Sequence, residues 1–245
     1  MTRLLDTELR KMFDTRAGFW LMASIGIAAV LASLATILFA PDSAQNYESY
    51  STAIGFPIAV ILPIVAILSV TGEWSQRTGL TTFTLVPSRG RVIAAKLIVI
   101  LGVGIASMFV AMTIGALGNV LGATLNGVDI VWDISVGQLG LIVLANVLGM
   151  LIGFMLGVLM RNSAGAIVGY FVYSFMLPTI FGILWAFQDW FHDIHGWIDF
   201  QSAQMVLFDE TPTGEQWAQL GVTGLVWLVI PTLIGLRLVM RSEVK

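Results

Sequence analysis

His192 and His195 stand in a short polar segment with Asp189, Asp193 and Asp199. Imidazole and carboxylate side chains are ligand types that suit zinc. Polar residues in a wet loop at a membrane surface account for the same composition more simply, so no metal site is expected there. Covalent chemistry has less to work with. The chain has no Cys, which excludes thiolate ligands and disulfides. Its long apolar stretches contain no His, Asp or Glu. A membrane-embedded protease or lipid transferase needs a buried nucleophile beside a base, or carboxylates holding a metal. No Gly-x-x-x-x-Gly-Lys-Ser/Thr loop is present to cradle phosphates, so the chain cannot hydrolyse ATP unaided. No catalytic residue is assigned.

The segment 72–91 offers docking chemistry instead. Its charges are Glu73, Arg77, Arg89 and Arg91, and Leu80, Phe83 and Leu85 give it an apolar component that a solvated loop has no use for. A short helix from about Arg77 to Leu85, stopped by Pro87, would present those side chains to another protein. The alternative is a loop folded against the membrane. Near the N-terminus, Leu4, Leu5, Leu9, Met12 and Phe13 recur at helical spacing among Arg3, Arg10 and Lys11. Residues 1–17 therefore read as an amphipathic helix lying on the inner leaflet, either an orientation anchor or a docking element.

The elements that position these segments are membrane spans. Only 11% of the 245 residues are charged, 57% are hydrophobic, and mean hydropathy is +0.89. Soluble domains carry about 25% charged residues, so lipid must cover much of this surface. A helix needs about 20 apolar residues to cross the hydrocarbon core. Six windows qualify: roughly Gly18–Ala40, Ile54–Val70, Val92–Leu121, Gly137–Met160, Ala164–Phe187 and Ala218–Met240. The first is too long for the apolar part of a cleavable leader and reads as a span. Pro57 and Pro63 predict a kink in the second, and the third is long enough to tilt or project. The expected fold is all-α and integral to the membrane.

Charge placement fixes the orientation. All twelve basic residues fall before the first span, in or beside 72–91, between spans four and five, or near the C-terminal end, beside and after the sixth span. The connections 41–53, 122–136 and 188–217 contain none, and hold ten of the fifteen acidic residues. By the positive-inside rule both termini are cytoplasmic and the acidic connections are external. The net charge of −3, with no basic stripe, gives no footing for a nucleic-acid partner. Gly149, Gly153 and Gly157 share one face of the fourth span, and Gly165 and Gly169 one face of the fifth. Such faces admit close helix packing, here expected within one subunit rather than at a dimer seam. Asn119, Asn146, Tyr170, Tyr173 and Ser174 are polar residues inside spans that either line a path or bond neighbouring helices.

The series Glu73-x-x-x-Arg77-Thr78-Gly79, Leu85-x-Pro87-x-Arg89 and then Lys96 resembles the permease subunits of ABC-2 type ABC transporters. That family's pattern has a Gly-Thr pair and a Leu-x-x-Pro stretch. This chain reads Thr78-Gly79, in reverse order, and Leu85-Val86-Pro87, one residue shorter. The layout of an N-terminal interfacial helix, six spans and a long last external segment is similar too. The resemblance implies one permease domain over 1–245, with 72–91 containing the helix that seats in an ATPase subunit. Glu73, Arg77, Gly79, Leu80, Phe83, Leu85, Pro87 and Arg89 would carry that coupling. It also implies that 188–217 packs back into the outer leaflet as a helical hairpin, with Trp185, Trp190 and Trp197 as interfacial aromatics.

The implied activity is ATP-driven export across a bacterial cell membrane. The implied partners are a separate ATP-binding subunit, a second permease copy (identical or related) and membrane lipid. ATP-Mg would bind the partner, with no cofactor in this chain. Spans without charge favour a hydrophobic or amphipathic cargo, such as a drug, peptide antibiotic or lipid. The alternatives are a transporter driven by an ion gradient and, less favoured, a membrane-embedded enzyme. The first commonly buries an ionisable residue at mid-membrane and shows inverted repeats; neither is visible here.

Overall fold

A backbone in hydrocarbon must satisfy its own hydrogen bonds, and an uninterrupted helix does so within one segment. In the computed structural model, which describes residues 2–14, 16–75, 89–209 and 211–241, six helices are long and apolar enough to cross a membrane. They are α2 (Arg16–Phe39), α3 (Tyr47–Ser75), α4 (Arg89–Asn126), α5 (Val136–Met160), α6 (Ser163–Phe187) and α9 (Gly214–Arg241). A short helix α1 (Thr2–Asp14) precedes them. Two more, α7 (Asp189–Ile198) and α8 (Phe200–Asp209), join α6 to α9. Among the described residues there is no β-strand, only one isolated bridge between Asn46 and Val131. The protein is therefore all-α and multi-pass, as composition requires.

The outward faces of the spans are apolar. Phe39 is 84% exposed, Phe56 73% and Val136 86%. Water would penalise such a surface, and acyl chains do not. The second span is longer than its apolar window, because polar turns at Tyr47–Ala53 and Thr71–Ser75 continue the same helix. At 38 residues, α4 measures about 57 Å at 1.5 Å per residue, against about 30 Å of hydrocarbon. It therefore projects beyond the core of the bilayer.

The centre of the bundle is α3, which contacts α2, α4, α5 and α6. Helix α5 approaches it most closely, through the glycine face. A Cβ at Gly153 would lie 2.3 Å from the carbonyl oxygen of Pro63, and one at Gly157 would lie 3.1 Å from the Cβ of Val70. The small-residue face is thus used for packing within the chain. Helix α3 passes both prolines without a break. Pro63 has no N–H, so the carbonyl of Ala59, one turn earlier, loses its helical donor. The Tyr170 hydroxyl of α6 donates to that oxygen at 2.8 Å. Polar residues at membrane depth commonly repair proline breaks in this way.

A second set of glycines, which periodicity did not single out, lies at the far end of α4. At Gly118 a Cβ would meet the ring of Tyr50 at 2.9 Å, and at Gly122 it would meet its hydroxyl. Tyr50 donates to Gln45 Oε1 at 2.6 Å, and Gln45 Nε2 donates to the Thr36 carbonyl at 3.1 Å. Beside them, Val131 O accepts from Tyr47 N at 3.2 Å and Asn119 Nδ2 at 2.9 Å. These neutral bonds clasp the connection 41–53 to 122–136.

The last third is built around two π turns, Val172–Met176 in α6 and Leu225–Val229 in α9. They face each other through Tyr173 and Trp227, whose ring centroids are 6.1 Å apart. Trp227 Nε1 donates to Ile198 O at 2.7 Å, and Gln201 Nε2 to Ser174 O at 3.4 Å. These bonds hold α7 and α8 against both spans, and α8 sinks Phe200 and Leu207 into the core beside Ile152 and Tyr170.

The close approach at Gly153 yields a direct test. Gly153→Ala must force α5 away from the α3 backbone, an overpacking cost of about 1–3 kcal/mol. Unfolding in mixed micelles should show that loss. Gly182→Ala, where nothing lies within 4 Å of the added Cβ, should match the parent protein.

Candidate functional site

Helix α1 has an apolar face on which Leu5 and Met12 pack against Val65, Val99, Leu21, Met22, Ile61 and Val103. Glu8 lies between them in sequence and on the same face, and is only 2% exposed. A carboxylate placed there must find cations, because burying an isolated charge is prohibitive. It finds two. Glu8 Oε1 is 2.8 Å from Lys11 Nζ, and Glu8 Oε2 is 2.6 Å from Lys96 Nζ. The same two ammonium groups hold Glu73 Oε1, at 2.9 Å from Lys11 and 3.1 Å from Lys96. Lys96 also donates to the Ser69 carbonyl at 3.1 Å.

Two carboxylates and two ammonium groups thus alternate around a closed circuit with no net charge. Its members come from three elements: α1 supplies Glu8 and Lys11, the last turns of α3 supply Glu73, and the first turns of α4 supply Lys96. Glu73 and Lys96 are each 4% exposed. At Lys11, burial works to lower the pKa, but hydrogen bonds and the charges of Glu8 and Glu73 outweigh it and raise it above 10.5. A raised lysine pKa stabilises the fold at every pH below its unfolded value. That contribution is lost only as pH rises through the raised value, so Lys11 keeps its charge at neutral pH.

Of the residues expected to carry coupling, Glu73 and Arg89 are described, and they bracket the segment. Glu73 is fixed in the charge circuit. Arg89 Nη1 donates to Val239 O in the last turns of α9 at 2.8 Å, where a cation also complements the helix dipole. Arg77, Gly79, Leu80, Phe83, Leu85 and Pro87, with the expected short helix, lie outside the described residues. Glu8 and Lys11 were not foreseen as partners of Glu73. The available signal was a carboxylate at i+3 and i−4 from Leu5 and Met12, inside an otherwise apolar stripe.

The other sequence candidates fall elsewhere. His192 stacks on Trp185, with centroids 4.5 Å apart, and bonds its carbonyl oxygen. His195 Nε2 lies 3.3 Å from Asp199 Oδ2. Among the described residues no three His, Cys, Asp or Glu side chains converge as a metal site would require. Asn119 and Tyr170 bond neighbouring segments, as given above. Asn146 Nδ2 bonds Ile142 O of its own helix at 2.9 Å, and the residue lines a cavity of about 40 Å³ with Ser51 and Met108.

Removing one member of the circuit should be costly. Lys96→Met leaves two buried carboxylates sharing Lys11, and breaking a buried pair costs about 3–5 kcal/mol. Unfolding in mixed micelles, with proteolysis of α1 as a local probe, should show this. The double variant Glu8→Gln/Lys96→Met should recover part of the loss.

A family model for ABC-2 family transporter proteins matches residues 4–177. The matched stretch contains Glu8, Lys11, Glu73, Arg89 and Lys96. No curated protein matches the chain. The match covers more than two thirds of the 245 residues, and with the six spans it places the chain in the ABC-2 family of transporter membrane proteins.

Proposed function

We propose that this chain is the permease of an ATP-driven exporter, and that 72–91 is where a separate ATPase subunit acts on it. The observation that carries the proposal is the anchoring of that segment. Its leading end is held at Glu73 to α1 and α4, and its trailing end at Arg89 to α9. A force applied between those anchors is delivered at once to the bases of α3, α4 and α9 and to the surface helix. Nucleotide binding on the partner can shift the permease between inward-facing and outward-facing states only by favouring one of them. In this reading Phe83, Leu80 and Leu85 seat in the partner, Arg77 and Gly79 shape the segment, and Pro87 ends it.

The rest of the assignment follows from the same frame. The permease is one domain over 1–245 and works with a second copy, identical or related. It lies in a bacterial cell membrane, with α1 on the inner surface and both termini cytoplasmic. ATP-Mg binds the partner. The spans carry little charge, which suits a hydrophobic or amphipathic cargo.

Sidedness can be tested with single cysteines, since the chain has none of its own. Cysteines at the exposed positions Ser43, Asp129 and Thr211 should react with an impermeant thiol reagent added outside, and one at Thr7 should not. External labelling at Thr7 would reverse the orientation.

Coupling can be tested by reconstitution with the cognate ATPase. Transport into vesicles should require both the partner and ATP. Phe83→Ala, removing an anchor worth at least about 2 kcal/mol, should cut transport severalfold while insertion persists. Transport driven by an ion gradient without the ATPase would favour a secondary transporter instead.

A further inference from the structure

Helix α4 is held close to its neighbours at two glycines. A Cβ at Gly104 would lie 2.6 Å from Met150 Sδ of α5, and one at Gly115 would lie 3.1 Å from Ile54 Cδ1 of α3. Between these levels is the cavity of about 40 Å³, walled by Ile54 and Ile58 of α3, Met108 and Ala111 of α4, and Ile142 of α5. Asn146 belongs to the same wall and is 5% exposed. Its Nδ2 is spent on Ile142 O. Among the described residues its Oδ1 has no hydrogen-bond partner. A buried acceptor left unpaired costs about 1–3 kcal/mol. Ser51 is the other residue of the lining with a polar side chain, and its Oγ is buried too. A hydroxyl can donate once and accept twice.

Size and charge identify the occupant. Each water needs about 10–15 Å³ of such space, so the cavity has room for about two or three. A drug-sized ligand needs about 300–1,000 Å³, which excludes a whole cargo molecule. None of the described residues that line the cavity is charged. A hard cation there would find an amide oxygen and a hydroxyl, where about six oxygens are needed. An acyl chain would leave Asn146 Oδ1 unsatisfied. Spacing favours water as well. Gly153 of α5 packs on Pro63 of α3, and Gly157 on Ile67 and Val70, so the two helices run in the same direction. That register sets Asn146 level with about residue 56, about five residues or about 7.5 Å deeper than Ser51. Three hydrogen bonds of about 2.8 Å, passing through two waters, span about 8.4 Å.

We propose that this cavity is a hydration site inside the bundle, where two ordered waters join Asn146 Oδ1 to Ser51 Oγ. Water then satisfies an amide oxygen that no neighbouring helix serves, in a gap otherwise walled by Ile, Met and Ala.

The test is hydroxyl-radical footprinting of the whole permease in lipid nanodiscs, read as methionine oxidation by peptide mass spectrometry. Ordered water generates radicals where bulk water does not reach. Met108 and Met155 are 3% and 5% exposed, and of the two only Met108 lines the cavity. Met108 should be oxidised severalfold faster than Met155. Asn146→Leu keeps the volume but removes the acceptor, so it should bring Met108 down to the Met155 rate. Labelling by bulk water would survive that change. Gly55→Leu should do the same by filling the gap from α3. A Cβ at Gly55 meets nothing within 4 Å, so this variant keeps the test open if Asn146→Leu does not fold. Gly26→Leu, at another open glycine outside the lining, should leave Met108 labelled. A Met108 as inert as Met155 in the parent protein, or an unchanged Met108 rate in either folded cavity variant, would overturn the proposal. None of these readouts depends on ATP or sidedness, so they stand or fall separately from the transport assignment.

Discussion

Three buried charges, Glu8, Glu73 and Lys96, with the partly exposed Lys11 beside them, determine how this protein is assembled at its basic end. Glu8 and Glu73 each need a cation, and Lys11 and Lys96 each serve both. Such a circuit gains little over a well-packed apolar cluster of equal volume, because desolvation offsets much of the attraction. Its effect is on arrangement. Sliding α1 by one residue would rotate Glu8 about 100° away from Lys96, leaving that lysine with Glu73 and the Ser69 carbonyl. Leu5 and Met12, on the same face, would turn away with it, so the charges and the apolar contacts demand the same register. The surface helix is therefore fixed in one position relative to α3 and α4.

The opposite end is held by other means. Tyr50, Gln45 and Asn119 make neutral hydrogen bonds to carbonyls and to one another, with Gly118 and Gly122 giving the tyrosine room. Neutral bonds in a membrane protein average roughly 0.6 kcal/mol each, well below the cost of breaking a buried ion pair. Helix α3 takes part in both systems and is clamped between them by α5, where Gly153 lies against the Pro63 carbonyl.

How much of this was legible in the sequence depended on the range of each signal. The spans were legible because about 20 apolar residues in a row have no other use, and only their polar ends, such as Tyr47–Ala53, were missed. The packing of Gly153 was legible as a stripe of small residues, since close approach needs small residues regardless of partner. Glu73 and Lys96 stood out within a family pattern, but their partners Glu8 and Lys11 lie more than 60 positions from Glu73, and no local spacing connects them. The Tyr170 bond to Ala59 has the same character: Pro63 announces a carbonyl in need of a donor, but not which helix supplies it. The π turns in α6 and α9 left no mark in hydropathy, because one extra residue per turn does not change composition.

The two π turns suggest why the last third is built differently from the rest. A π turn widens the helix by one residue and leaves its carbonyls poorly served by the regular ladder. In α6 and α9 the turns occur where Trp227 reaches Ile198, Gln201 reaches Ser174, and Tyr173 meets Trp227. Both turns thus lie where α6 and α9 make their bonds to α7 and α8. Pinned to two spans, α7 and α8 hold Phe200 and Leu207 in the core beside Ile152 and Tyr170. The match to the family pattern ends at residue 177, one residue past the first π turn. The family match thus spans the charged base and the α3 hub, and α7, α8 and α9 lie beyond it.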